Sequence, residues 1–368
     1  MIISLLLYFI LLSLMVISSH ISVSIARSSV YDDKLLGKGF YYLPILIYSL
    51  FWGLRYNVGT DFQSYENFFR SVKMNTSNIY KLEPGYHFLN EILANLDLTS
   101  TSIFIVTSFI VVYFLYKSVS TKSNLLPIVI FFYFTTSTVL FSQNGIRQSI
   151  ALCILFIVIR FFVEKKYIKS IILLILAFLF HKSVLIPAML IPIFYRNIFS
   201  SRILVLIAML FTLIFGTELL PYLLKQSAFI FTALNYDQLD RILKFSVTFE
   251  KGSGIGFLLK ISIYILTIYL SPYVKNYFKL SPYIIFYNFF ILGIILEPII
   301  SQNYFLNRIN MYFLPMRIFV YAYSCLYLMK NNTTKNYLFA LYYFIAHILF
   351  FIASVYSNSN DCGYFQFR

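Results

Sequence analysis

The chain has 368 residues, 60% hydrophobic and 12% charged, with a mean hydropathy of +0.79 and a net charge of +15. A soluble domain carries roughly 25% charged residues, so a water-soluble fold is excluded. The positive balance does not point to nucleic acid either, because the lysines and arginines fall mostly in short gaps between apolar runs, where they set topology.

Those runs, each about 15–20 residues, are long enough to cross a ~30 Å hydrocarbon core. Barrel strands would show short alternating segments instead. The sequence therefore predicts an all-α, polytopic transmembrane helical bundle, one integral-membrane domain over 1–368. Its first run, MIISLLLYFILLSLMVI, lacks a basic leader and a clear cleavage site and reads as a retained span. About twelve spans follow from the pattern: 2–22, 40–54, 101–116, 125–142, 147–163, 168–181, 184–195, 203–217, 255–271, 283–300, 311–329 and 337–356. Cys153, Cys325 and Cys362 have no metal or redox spacing, and the first two read as packing residues.

Every second gap is short and basic: Arg27/Lys34/Lys38, Lys117/Lys122, Lys165/Lys166/Lys169, Arg196/Arg202, Lys275/Lys279 and Lys330/Lys335. The positive-inside rule makes these cytoplasmic. The remaining gaps, and both termini, then face outward. They hold two longer loops, 55–100 and 217–254, and three polar stretches: FSQNGIRQ (141–148), FHKS (180–183) and EPIISQNYFLNR (297–308).

In the first loop, RYNVGTDFQSYENFFRSV predicts a turn and then an amphipathic helix. Thr60 and Gln63 have capping-box spacing, and Tyr65, Phe68, Phe69 and Val72 share one face. LEPGYHFLNEIL predicts a second, with Pro84 in the first turn and Tyr86, Leu89, Ile92 and Leu93 on one side. The second loop carries Asp237, Asp240, Arg241 and Glu250 in no calcium or zinc pattern. FSQNGIRQ reads as a tight turn between two spans, bent at Gly145.

Four basic groups recur at outer span ends, Arg55, Arg147, Lys182 and Arg308, with Arg317 about two turns further on. Each lies beside amide or hydroxyl donors: Asn57, then Gln143, Asn144 and Gln148, then Ser183, then Gln302, Asn303 and Asn307. A guanidinium fork binds phosphate oxygens in pairs and stays charged. Converging at the lipid–water boundary, such groups suit an anionic headgroup, a diphosphate above all; snorkelling toward lipid phosphates is the alternative. His181, at a span end, is either a packing residue or a general base. Glu297 is expected to pair with an arginine such as Arg308.

RYNVGTDFQSYENFF, EPGYHFLNEIL, FSQNGIRQSIAL, HKSVLI and NRINMYF occur in this order. Over 55–310 the set resembles the EpsG family of bacterial membrane proteins, grouped with Wzy-type polysaccharide polymerases. The resemblance implies an enzyme of the bacterial inner membrane acting on its outer face. It would join oligosaccharide repeats linked to undecaprenyl diphosphate into O-antigen, capsule or exopolysaccharide, in company with a flippase and a chain-length regulator. No metal and no cofactor is expected. Arg147 and Arg308 would clamp diphosphate, helped by Arg55 and Lys182, with Gln143, Asn144 and Gln148 around the headgroup or first sugar. Asp61 or His181 would be the base, with Glu83 in reserve. The rival readings are a flippase for the same lipid, a ligase or acyltransferase acting on the same glycan, and a non-catalytic assembly subunit.

Overall fold

The structure, a computed structural model, describes residues 1–28, 34–76, 82–120, 123–233, 254–279, 281–300, 303–331, 333–358 and 361–368. These form helices α1 (Ile2–Arg27), α2 (Lys34–Gly53), α3 (Phe62–Lys73), α4 (Pro84–Asn95), α5 (Thr101–Lys117), α6 (Leu125–Thr135), α7 (Thr138–Asn144) and α8 (Ile146–Val163). After these come α9 (Tyr167–Phe180), α10 (Leu185–Phe194), α11 (Arg202–Ala233), α12 (Ile255–Tyr277), α13 (Tyr283–Ile300), α14 (Tyr304–Phe313), α15 (Arg317–Lys330) and α16 (Thr334–Tyr356). Among the described residues no sheet forms; an isolated antiparallel bridge joins Arg55 to Phe367.

Among the described residues seven stretches are long and apolar enough to cross a membrane: α1, α8, α11 as far as Tyr222, α12, α13, α16, and Leu306–Lys330, which runs from α14 into α15. The pair α6 and α7, bent by 64°, makes an eighth if it is one span. Helices α5 and α9 and the stretch Lys182–Phe194 are apolar but shorter. The expected twelve spans counted such pieces as full crossings. A 14-residue helix like α9 rises only about 21 Å against a core of ~30 Å.

The chain divides into two compact units, one made of Met1–Ala188 with Cys325–Arg368, the other of Met189–Ser324. In the first unit α8 is the core. It is apolar all round, and Ile150 to Ile159 are all buried, as such a helix requires. Helices α5 and α9 flank it, α2 packs on α1 and α5, and α6 lies against α1 and α16. The outer face of α9, with Ile168, Ile171, Ile172 and Ile175, stays exposed, as suits contact with lipid chains.

The sharp bend near FSQNGIRQ lies earlier than expected. Ser137, between α6 and α7, takes the left-handed φ of 60°, while Gly145, between α7 and α8, has an ordinary φ of −83°. Ser142, Gln143 and Asn144 thus end a buried helix, and are not part of an exposed turn.

Both loop helices form. On α3 the buried face is the one expected, with Tyr65, Phe68, Phe69 and Val72 inside. Its cap differs: Asp61 is the N-cap without a side-chain bond, and Gln63 donates to Asn67 Oδ1 at 3.0 Å instead of closing a capping box on Thr60. On α4 the buried residues are Tyr86, Asn90 and Leu93, while Ile92 is exposed. Helix α4 rests on both α3 and α9.

Residues 361–368 close the first unit by running against 54–59. Tyr56 donates its N–H to Gln366 O, Gly59 to Asp361 O, and Arg368 to Leu54 O. Phe365 stacks on Phe51 at 4.3 Å, and the Arg368 side chain reaches Glu66 and Thr101.

In the second unit α11 packs on α13, and α13 on α14. Glu297 on α13 pairs with Lys260 on α12 at 2.7 Å and accepts from Tyr264, so its ion pair is with a lysine and not the arginine expected. Arg308 is half-buried on α14, and Arg317 opens α15. Helix α11 continues to Ala233, so the loop expected from 217 begins as helix. Asp237, Asp240, Arg241, Glu250 and Gln302 lie outside the described residues.

Candidate functional site

Pro84 starts α4 with its fixed φ and missing N–H in the position where neither costs anything, leaving Glu83 extended as the N-cap. The first turn of α4 then meets the last turn of α9 at Gly85. A Cβ there would lie 2.9 Å from Leu179 O, so only glycine permits this approach. Helix α9 ends at His181, itself extended. The close contact sets Glu83 opposite His181, with Glu83 Oε1 2.9 Å from Nδ1. The other carboxylate oxygen is paired with the guanidinium of Arg147, the second residue of α8.

Two side chains, a guanidinium and an imidazole, thus share one carboxylate, the three groups coming from three helix ends. All are largely buried yet reachable, with Arg147 22%, His181 16% and Glu83 12% exposed. Burial would raise the Glu83 pKa, but the hydrogen bond with His181 and the charge of Arg147 outweigh it and hold the carboxyl at about 2. Arg147 Nε is buried without a hydrogen bond among the described residues, so the fork retains a donor.

Tyr65 fixes the turn that carries Arg147. Its hydroxyl donates to Asn144 O at 2.7 Å, accepts from Ile146 N–H at 3.2 Å and bonds the guanidinium itself. The sequence reading placed Tyr65 only on an apolar face. The signal available was that a tyrosine on a buried face needs a partner for its hydroxyl. Asn144 meets the GTD turn: Gly59, at φ +102°, brings its backbone so close that a Cβ would stand 2.6 Å from Asn144 Oδ1.

Arg55 has a different setting. It is 1% exposed. Nη1 donates to Trp52 O and Gln143 Oε1, Nε to Val58 O and Nη2 to Gln143 O, at 2.7–3.3 Å. The guanidinium lies over Phe104 at 4.6 Å. Burial pushes its pKa down to about 10. This side chain ties the end of α2 to α7 and offers nothing to a ligand, so the expected direct contact with substrate is replaced by an internal one.

The structure therefore brings together Arg147, Glu83 and His181; Gln143, Asn144 and Gln148, on either side of Arg147 in the chain, are buried. Lys182 is exposed beside His181 on a 3-10 turn. Asp61, half-buried at the start of α3, donates its backbone N–H toward Asn144 Oδ1 at 3.5 Å. Arg308 belongs to the second unit. Among the described residues no cluster of His, Cys, Asp and Glu has the arrangement of a metal site.

Such a grouping can serve an anion and a proton transfer side by side: a guanidinium to receive negative charge, and an imidazole on a carboxylate to receive a proton. No curated protein and no solved structure matches the chain. The EpsG family model matches residues 38–367, a span that includes every polar motif described above. The chain belongs to the EpsG family, whose members are Wzy-like polysaccharide polymerases.

Proposed function

We propose that this membrane polysaccharide polymerase joins repeat units carried on undecaprenyl diphosphate, at the outer face of the bacterial inner membrane. The observation that carries the reading is the Arg147–Glu83–His181 grouping. A hydroxyl oxygen of the incoming lipid-linked repeat attacks the anomeric carbon of the growing chain. The bond from that carbon to the phosphate oxygen breaks, its electron pair stays on the diphosphate, and the hydroxyl proton passes to His181. The products are a chain longer by one repeat on the acceptor lipid and a free lipid diphosphate.

The residue roles follow from this step. Arg147 receives the negative charge that develops on the leaving diphosphate, where a fixed donor is most effective. His181 Nδ1 faces Glu83, which keeps a proton on that nitrogen and turns Nε2 to the attacking hydroxyl. Glu83, held at about 2 while paired, is too weak a base to take the proton itself; it orients His181. Lys182 adds a second cation at the exposed rim. Gln143, Asn144, Gln148 and Arg55 position the Arg147 turn from behind, and Asp61 anchors the start of α3.

The glycan ladder of a strain lacking the gene tests this reading. Single lipid-linked repeats should accumulate on the outer face, and the full ladder should return on complementation. Repeats retained inside the cell would identify a flippase, and unattached full-length polymer a ligase.

Gly85→Val probes the geometry without touching a polar group. Its side chain would meet Leu179 O and push α4 off α9, parting Glu83 from His181. A displacement of about 1 Å costs on the order of 100-fold in rate. Polymer should fall by that order while the protein remains in the membrane. A full ladder from this variant would mean that the α4–α9 contact does not set the chemistry.

A further inference from the structure

We infer that Glu83 acts as a substrate-displaced latch: it occupies Arg147 until a diphosphate arrives, and its release from Arg147 is what makes His181 a working base. This rests on the reading of Arg147 as the diphosphate site.

The geometry gives one carboxylate two partners. Glu83 Oε2 is paired with Arg147 and Oε1 lies 2.9 Å from His181 Nδ1. The partners come from different helices, the start of α8 and the end of α9, so the carboxylate ties two packed elements together at one end. A phosphate approaching Arg147 meets a guanidinium already engaged by an anion in a site largely shut off from water. It must compete, and a carboxylate is the weaker competitor against a diphosphate with more charge and more acceptor oxygens.

Displacement changes the second partner. While Arg147 neutralises Glu83, little negative charge remains to stabilise an imidazolium at His181. Once the guanidinium turns to phosphate, the full carboxylate charge falls to the Nδ1–H bond, where it stabilises the positive charge the imidazole gains on taking the hydroxyl proton. The Arg147 charge is among the causes that hold the Glu83 carboxyl down, in keeping with this coupling. Ionisable groups bordering the cluster among the described residues include Lys182, exposed beside His181, Asp61, which acts on Tyr65, and the phenols Tyr65 and Tyr86, both raised by burial. Neither phenol supplies a competing anion, and no ion pair between Asp61 and Arg147 forms among the described residues. The base therefore becomes effective only with its leaving group in place, which guards a reactive glycosyl phosphate site against idle turnover.

The test uses full-length protein in nanodiscs, with inorganic diphosphate as the binding probe and polymer formation from lipid-linked repeats as the turnover assay. Glu83→Gln keeps the shape and removes the charge. It should bind diphosphate about tenfold more tightly than wild type while turnover falls at least tenfold, a split that simple loss of structure does not produce. Glu83→Ala should shift both in the same directions. His181→Asn, which leaves the Arg147–Glu83 pair in place, should lose turnover at wild-type affinity.

Unchanged or weaker diphosphate binding in both Glu83 variants overturns the latch. So does tightening by His181→Asn equal to that of Glu83→Gln. Arg147→Gln separates the two levels: if it binds diphosphate as wild type does, the site assignment itself fails, whereas if it alone loses binding, only the latch is at stake.

Discussion

Arg147→Ala should leave the protein in the membrane at close to wild-type abundance and abolish the polymer ladder. The stability cost is small because Glu83 keeps His181 and its own backbone N–H as partners, and because Arg147 is partly exposed. The catalytic cost is large. Removing one fixed donor from a developing negative charge costs about 10²–10³ in rate, and here the donor also carries a full charge. Arg147→Lys should recover only a small part, since an ammonium restores the charge but not the paired donors of the fork. Polymer length on a gel, with protein level by immunoblot, reads both. A normal ladder from the alanine variant would remove Arg147 from the chemistry.

Arg55→Ala should do the reverse and remove the protein. Its guanidinium serves Trp52 O, Val58 O, Gln143 O and Gln143 Oε1 in a site with 1% exposure. Truncation strands those acceptors and opens a cavity beside Phe104. Each buried polar group left unsatisfied costs about 1–3 kcal/mol. Even half of that total is a large share of the ~5–15 kcal/mol that holds a typical domain together. Abundance should fall severalfold or more, and any surviving polymer should scale with surviving protein. Arg55→Lys should rescue poorly, because three donors on a flexible stem cannot reproduce four bonds from a planar group. Full abundance with no polymer would instead return Arg55 to the substrate.

The contrast between these two arginines marks where the sequence runs out. Both lie beside polar neighbours at the edge of an apolar run, and both read as phosphate ligands. Only burial separates them, and burial depends on Gln143, 88 residues away, swinging its amide to Arg55. The helical, membrane-spanning character was legible throughout, since it rests on composition and period. So were α3 and α4, whose apolar faces repeat at helical spacing. The span count was less so, because a 14-residue apolar helix and a full crossing look alike until the flanking turns are placed. The Glu83–His181 link, between residues 98 apart, left no trace except Gly85, whose need for closeness to Leu179 no local pattern announces. Tyr65 was hidden for the same reason: its ring fits the apolar stripe, and its hydroxyl speaks only to the turn at 144–147.

The first unit is discontinuous, and that bears on its biogenesis. The bridge partners Arg55 and Phe367 leave the ribosome about 300 residues apart, on the order of 15–60 s at ~5–20 residues per second. Throughout that interval the backbone amides of Tyr56 and Gly59 wait without the carbonyls that will receive them, while the whole of the second unit is synthesised and inserted. Completion of the turn at 54–59 is thus postponed until the far segment docks. The first unit therefore cannot close until the last residues of the chain, 361–368, have been made.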